Sequence, residues 1–134
     1  MKLTVHVDGG SRGNPGPAAA GAVASNSDGE IVGERGEMIG VATNNVAEYR
    51  AVLLGAALAA ELGASEVEIV NDSELIAYQL SGKYKVKHVD MKPLYAEAIA
   101  ALSEFDSWSI SCVRREQNEH ADLLVNQTLD AGEL

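Results

Sequence analysis

In this chain three strand-like segments precede the first run of apolar residues with helical spacing, and this order restricts the fold more than any other feature of the sequence. Three short segments with strand-like composition come first. From Ala47 to Leu62 the apolar residues then recur at every third or fourth position and Gly63 follows, which predicts a long helix with a glycine stop. Strands are predicted at about 3–8, 18–26, 31–39, 66–71 and 107–114, and helices at about 44–62, 73–80, 91–104 and 118–130.

The resulting order, βββαβααβα, predicts an α/β fold with a mixed five-stranded sheet and helices packed on its faces. The turn over residues 26–29 joins the second and third strands as a hairpin, so the first three strands form an antiparallel meander. Helical crossovers connect the later strands, which therefore run parallel to the first. The sequence contains no repeat or linker, and we expect a single domain over residues 1–134.

Four carboxylates stand where the predicted strands end or the predicted helices begin. Asp8 closes the first strand, Asp72 follows the fourth, Glu48 lies near the start of the long helix, and Asp122 lies early in the last helix. Acids in these places can converge on one edge of an open sheet, where functional sites are usually found. Oxygen ligands suit Mg²⁺ or Mn²⁺, and four of them could hold two ions for phosphodiester hydrolysis.

Each of these acids, taken alone, also has a purely structural explanation. Asp8 could start an Asx turn, and Asp72 could cap the helix that follows it. Asn44 and Asn118 are the expected caps of the first and last helices, which leaves Glu48 and Asp122 for other roles. The combination of four acids in this order is what indicates a site.

The glycine-rich segment after Asp8 does not bind a dinucleotide in the usual way. Gly9, Gly10 and Gly13 do not have the G-x-G-x-x-G spacing, and a strand rather than a helix follows them. Their backbone N–H groups can still approach a phosphate or a sugar. Thr43, Asn44 and Asn45 add groups that both donate and accept hydrogen bonds and could therefore read a ribose 2′-OH.

The net charge of −10 argues against a simple nucleic-acid-binding protein, which would normally be basic. Positive charge is concentrated in one short segment, with a second pair at Arg114 and Arg115. The segment contributes Lys83, Lys85, Lys87, His88 and Lys92. A solvated charged turn is the competing interpretation of this cluster.

Together these segments resemble the ribonuclease H family, type 1, over nearly the whole chain. The resemblance is carried by DGGSRGNPG at residues 8–16, TNNVAE at 43–48, DSEL at 72–75 and REQNEHAD at 115–122. It implies a ribonuclease H-like fold and endonucleolytic hydrolysis of the RNA strand of RNA/DNA hybrids, leaving 5′-phosphate ends. It also implies two Mg²⁺ ions, or Mn²⁺, held by Asp8, Glu48, Asp72 and Asp122, with Asp8 and Asp72 as the most intimate ligands.

The same resemblance implies contacts to the nucleic acid. Asn14, Asn44 and Asn45 would contact sugars or bases, and Thr43 a DNA phosphate. In the short segment that replaces the family's basic protrusion, Tyr84 could stack on a sugar and the lysines could hold the DNA strand. The full set of expected substrate-binding residues is Gly9, Ser11, Arg12, Asn14, Thr43, Asn44, Asn45, Lys83, Tyr84, Lys85 and Lys87.

The chain departs from the family in two places. Many members carry a long basic protrusion rich in Trp and Lys, whereas residues 81–90 here form a short segment without Trp, as in a compact subgroup. Many members also place a histidine in a loop before the last acid. Here His120 already lies on the predicted helix and is expected to be exposed, and Glu116 is a candidate substitute.

Two other functions are compatible with the same motifs. A nuclease of this fold could act on another nucleic acid, since fold alone does not determine the substrate. A catalytically silent nucleic-acid-binding module is disfavoured, because such a module would gain affinity by losing acids near phosphates.

The cellular setting follows from what the sequence does not contain. Residues 1–134 include no apolar run long enough to span a bilayer and no signal-peptide pattern, so we expect no membrane association and a cytoplasmic location. Cys112 is the single cysteine, which excludes an internal disulfide and predicts a buried thiol. No obligate protein partner is evident, and a monomer is expected.

Overall fold

The structure, a computed structural model, describes residues 1–132 and has the predicted order of elements. Its strands are β1 (Lys2–Ser11), β2 (Gly16–Ser25), β3 (Ile31–Ala42), β4 (Glu66–Asn71) and β5 (Ser107–Cys112). Its helices are α1 (Asn44–Glu61), α2 (Glu74–Leu80), α3 (Lys92–Leu102) and α4 (Glu119–Gly132), with a 3₁₀ turn at Arg115–Gln117. The predicted fold class is confirmed.

The five strands form one mixed sheet in the order β3-β2-β1-β4-β5. The pairs β1–β2 and β2–β3 are antiparallel, and β4 runs parallel to both β1 and β5. Helix α1 packs on β1 and β2 with α3 beside it, whereas α4 packs on the other face of β1, β2 and β3. The meander and the parallel later strands are both confirmed.

The alternation along β1 explains why helices cover both faces of the sheet. Leu3, Val5 and Val7 are buried against α1. Gly55 lets α1 approach closely, since a Cβ there would lie 2.6 Å from Val7 Cγ1. The small residues of β2 have the same effect on the opposite side: a Cβ at Gly21 would lie 2.9 Å from the carbonyl oxygen of Ala121 in α4.

Strand β1 is longer than predicted, and this changes the position of Asp8 within it. We expected Asp8 to close the strand, but its pairing with β2 continues to Ser11 opposite Ala18. On its other side, pairing with β4 stops at His6 opposite Val70. Asp8 is therefore still paired with β2 but lies beyond the last residue of β1 that pairs with β4. At this point β1 and β4 separate.

The helix caps differ from the expected ones, for reasons that involve the rest of the fold. Thr43, not Asn44, caps α1 by accepting a hydrogen bond from Val46 N at 3.3 Å. Ser73, not Asp72, caps α2, so the structural explanation of Asp72 as a cap is excluded. The Asn118 side chain donates to Val7 O at 2.9 Å instead of capping α4.

Cys112 is only partly buried, because β5 is an edge strand, and the prediction of a buried thiol was therefore too strong. Partial burial raises the pKa of this thiol. Within residues 1–132, no helix is both long and apolar enough to cross a bilayer.

Candidate active site

Three of the predicted acids form a tight cluster at the opening between β1 and β4. Asp8, Glu48 and Asp72 each place one carboxylate oxygen within 4.8 Å of the oxygens of the other two. Asp122 lies outside this tight group but lines the same cavity of about 390 Å³ from the first turn of α4. The structure thus brings all four predicted acids to one cavity.

Glu48 is oriented by direct contact between α1 and β1. Gly9 N donates to Glu48 Oε1 at 3.0 Å in a buried hydrogen bond. This contact requires glycine, since a Cβ at position 9 would overlap the backbone carbonyl of Ala47. The residue after Asp8 therefore determines where the second acid lies.

The electrostatics of the cluster are those of crowded, partly desolvated carboxylates. Burial, together with the charges of Glu48 and Asp72, raises the pKa of Asp8 to about 9. Burial raises the pKa of Glu48 to about 7, although the Gly9 N–H opposes the shift. Burial likewise raises the pKa of Asp72, and the charge of Arg115 opposes it. The site consequently holds more negative charge than its protein surroundings compensate.

Arg115 is a site residue to which the sequence analysis assigned no role. It lines the cavity, and its charge opposes the rise that burial causes in the pKa values of both Glu48 and Asp72. Its position could have been inferred, because it follows the carboxyl end of β5 as Asp72 follows that of β4, at the same edge of the sheet. Ser73 and Asn126 also line the cavity, and no sequence signal distinguished them.

Five of the predicted substrate-binding residues line the acid cavity: Gly9, Ser11, Arg12, Asn44 and Asn45. Two of them also hold the site together, since Ser11 N donates to Asn44 Oδ1 at 2.9 Å. Asn44 N in turn donates to Asn14 Oδ1 at 3.0 Å. Both amide oxygens therefore face backbone donors, which directs the NH₂ groups of Asn14 and Asn44 away from these contacts.

Arg12 is engaged within the protein. Its guanidinium forms an ion pair with Asp130 of α4 at 2.7 Å and reaches Asn126 at 3.5 Å. These contacts tie the loop after β1 to α4.

Asn14 and Thr43 are not at the acid cavity but line an adjoining one of about 280 Å³. Asn45 lines both cavities and connects them. The adjoining cavity also contains Gln79, whose Oε1 accepts from the buried Tyr49 hydroxyl at 2.6 Å. The predicted contacts are thus divided between the acid cavity and this second cavity, with Asn45 common to both.

The four predicted residues of the lysine segment lie apart from the acids. Lys83, Tyr84, Lys85 and Lys87 are exposed in the connection between α2 and α3, and none lines the acid cavity. The Tyr84 ring meets the Tyr78 ring edge-on at 5.0 Å. Lys83 Nζ lies 5.0 Å from the centroid of the Tyr78 ring, a cation–π arrangement.

His120 and Glu116 do not line the acid cavity. His120 Nε2 lies 3.2 Å from Glu34 Oε2 of β3 and is partly exposed, which agrees with its predicted position on the helix surface. Glu116 is exposed in the 3₁₀ turn before α4.

The donor set of the cavity fits hard divalent cations. Three carboxylates supply oxygen atoms at mutual distances that one ion could span, and Asp122 adds a fourth acid to the wall. The raised pKa values of Asp8 and Glu48 indicate charge that a bound cation would neutralise. Among residues 1–132, those that line this cavity include no histidine or cysteine, so its charged ligands are carboxylate oxygens.

Known proteins are similar to this chain in both sequence and fold. A family model described as reverse transcriptase-like matches residues 6–128. The chain is 46% identical over 133 residues to the "Bifunctional protein Rv2228c" of Mycobacterium tuberculosis, covering 98% of this chain and 36% of that protein. It is 44% identical over 129 residues to "Ribonuclease HI" of Halobacterium salinarum, covering 96% and 65%. The chain thus spans about a third of the mycobacterial relative and just under two thirds of the archaeal one.

Solved structures agree closely with this one. The crystal structure of RNase H1 from Halobacterium salinarum superposes with a TM-score of 0.96 at 44% identity, covering 98% of this chain and 99% of that one. The structure of LC11-RNase H1 in complex with an RNA/DNA hybrid gives a TM-score of 0.93 at 36% identity, covering 98% and 99%.

Proposed function

We propose that this chain, which belongs to the ribonuclease H family, is an endonuclease that hydrolyses the RNA strand of RNA/DNA hybrids with two divalent ions. The observation that carries the proposal is the cluster of Asp8, Glu48 and Asp72 oxygens within 4.8 Å of one another, with Asp122 on the same cavity wall. The hybrid bound to LC11-RNase H1 supports the choice of substrate. Residues 1–134 would act as one domain.

The four acids would hold the ions, with Asp8 and Asp72 as the closest ligands and Mg²⁺ or Mn²⁺ as the metals. When bound, such ions supply an activated water and stabilise charge on the leaving 3′ oxygen, which leaves a 5′-phosphate end. The chain's own contribution is to orient the carboxylates: the Gly9 N–H fixes Glu48, and Arg115 favours the ionised forms of Glu48 and Asp72.

The amide groups around the cavity would select the nucleic acid. Asn14 and Asn44 present NH₂ groups because their oxygens already accept from backbone donors. Asn45 stands between the two cavities, and Thr43 lies in the second one. Donors arranged in this way can recognise a ribose 2′-OH near the acids and a phosphate of the DNA strand farther away. Gly9, Ser11 and Arg12 would complete the wall on the side of the cleaved strand.

The lysine segment would hold the substrate without taking part in the chemistry. Changing Lys83, Lys85 and Lys87 together to Ala is expected to raise KM for the hybrid by about 10-fold while kcat changes by less than about 2-fold. The reason is that these side chains are exposed and lie outside the acid cavity. Steady-state kinetics over a range of salt should show a shallower salt dependence of KM in the variant.

Lys2→Ala is the matched control, because it removes an exposed lysine from the start of β1. It should leave KM unchanged. If KM were unchanged in the triple variant, the lysine segment would be a solvated charged turn with no role in binding the substrate.

The proposed activity is tested with end-labelled RNA/DNA hybrid, duplex RNA, duplex DNA and single-stranded RNA, each with Mg²⁺, Mn²⁺ or EDTA. We expect metal-dependent cutting of the RNA strand of the hybrid alone. Cutting of duplex RNA or DNA would redirect the substrate assignment. An absence of cutting with either metal would favour a silent binding module.

A further inference from the structure

Asn118 connects two of the elements that carry the acids. It directly precedes α4 and is only 1% exposed. Its Nδ2 donates to the carbonyl oxygen of Val7, the residue before Asp8, at 2.9 Å. Its own backbone oxygen accepts from Asp122 N at 3.2 Å. One residue thus links the backbone at Asp8 to the backbone at Asp122.

The oxygen of this amide has no partner of its own. Among the described residues, Asn118 Oδ1 is the one buried side-chain nitrogen or oxygen without a hydrogen bond. A buried acceptor left without a hydrogen bond lowers the stability of the fold. An apolar side chain would avoid that cost, so the value of the amide at this position lies in its NH₂ group, which holds the carbonyl of Val7 beside Asp8.

We infer that Asn118 is a positioning residue for the metal site: it sets the placement of Asp8 relative to Asp122 and thereby the affinity for divalent ions and the rate of cleavage. This inference rests on the proposed function. Asn118 does not line the acid cavity, so it acts through the acids and not by touching the substrate.

The test compares Asn118→Ala with Asn118→Leu. Both variants lose the donors, but Leu fills the space that Ala leaves. We expect the Mg²⁺ concentration for half-maximal activity to rise by about 10–100-fold in both, the usual effect of removing a group that orients metal ligands. We also expect kcat at saturating Mg²⁺ to fall by about 10-fold or more, with KM for the hybrid unchanged.

A second readout does not depend on cleavage. Mg²⁺ should raise the Tm of the wild-type protein by preferential binding to the folded state, and at the same Mg²⁺ concentration it should raise the Tm of both variants less. Leu102→Ala is the control for lost stability, since Leu102 is buried in α3 and lies outside the acid cavity. It should lower Tm and keep the wild-type Mg²⁺ dependence.

The possible failures are distinguishable. Impairment of Asn118→Ala with wild-type behaviour of Asn118→Leu would show a packing role and overturn the inference. Wild-type kcat and Mg²⁺ dependence in both variants would overturn it as well. If the wild-type protein itself neither cut the hybrid nor gained stability from Mg²⁺, the proposed function would fail first.

Discussion

Asp8→Asn is expected to abolish metal-dependent cleavage and, in the same molecule, to stabilise the metal-free fold. Cleavage should fall by about 10³-fold or more, because Asp8 belongs to the tight carboxylate cluster proposed to hold the ions. Stability near neutral pH should rise because Asp8, buried beside Glu48 and Asp72 with its pKa raised to about 9, must take up a proton when the chain folds, whereas Asn needs none. A gain of at least about 1 kcal/mol corresponds to several degrees in Tm.

The stability of the metal-free wild-type protein should also fall as pH rises, because Asp8 then loses its proton. The folded-state pKa of Asp8, raised to about 9, lies above that of an unfolded chain, near 4. The stabilising contribution of protonated Asp8 is fully present below about pH 4 and is lost as pH rises through 9. Wild-type Tm in EDTA should therefore fall over this interval, and the Asp8→Asn variant should show a smaller decline.

Thermal unfolding in EDTA and in Mg²⁺, together with hybrid cleavage, measures both effects. Added Mg²⁺ should stabilise the wild-type protein more than the variant. Asp28→Asn removes an exposed acid in the β2–β3 turn and should change neither activity nor Tm appreciably. Near wild-type activity of Asp8→Asn with Mg²⁺ would show that the two-metal assignment is wrong. A lower Tm in EDTA would show that the acids are not in repulsive contact.

Gly9→Ala should destabilise the fold by about 3 kcal/mol or more, a large effect for one methyl group. The added Cβ would overlap the backbone carbonyl of Ala47, and backbone atoms of both β1 and α1 would have to move. The movement would also break the hydrogen bond from Gly9 N to Glu48 Oε1. Any folded fraction should therefore cleave the hybrid poorly. Urea unfolding with an activity assay on the same samples measures both consequences.

Gly10→Ala is a matched control one residue away. A Cβ at Gly10 would meet only Val125 Cγ1 at 3.4 Å, so the free energy of unfolding should change by less than about 1 kcal/mol. An equal loss in both variants would attribute the effect to glycine flexibility in β1. A Gly9→Ala variant with wild-type stability would mean that α1 does not press on β1 at this point.

Most of the fold was predictable because its signals are local. The spacing of apolar residues predicted α1 and its end at Gly63, which has a positive φ of 84°. The hairpin turn predicted the meander, and the crossovers predicted the direction of β4 and β5. The end of β1 was wrong by three residues, because glycines that suggest a turn also pair readily with the small residues of β2.

The acids of the site could be predicted from the sequence, whereas several of the residues that surround them could not. The four acids lie where β1, α1, β4 and α4 meet at one cavity. They are Asp8, Glu48, Asp72 and Asp122. Arg115 and Asn118 also lie there, and neither was assigned its observed contacts. Asn118 resembled an ordinary cap, and only the approach of α4 to β1 shows that its side chain turns toward Val7 instead.

The sequence by itself determined the order of elements, the pairing directions and the candidate acids, because each follows from local periodicity, turn chemistry or residue type. Only the tertiary structure decided which oxygens come within 4.8 Å, which cavity each amide lines, and that Gly9 must lack a side chain. These properties depend on contacts between residues distant in the chain, such as Gly9 with Glu48 and Val7 with Asn118. Their geometry is set when α1 and α4 pack on opposite faces of β1, and no local pattern encodes it.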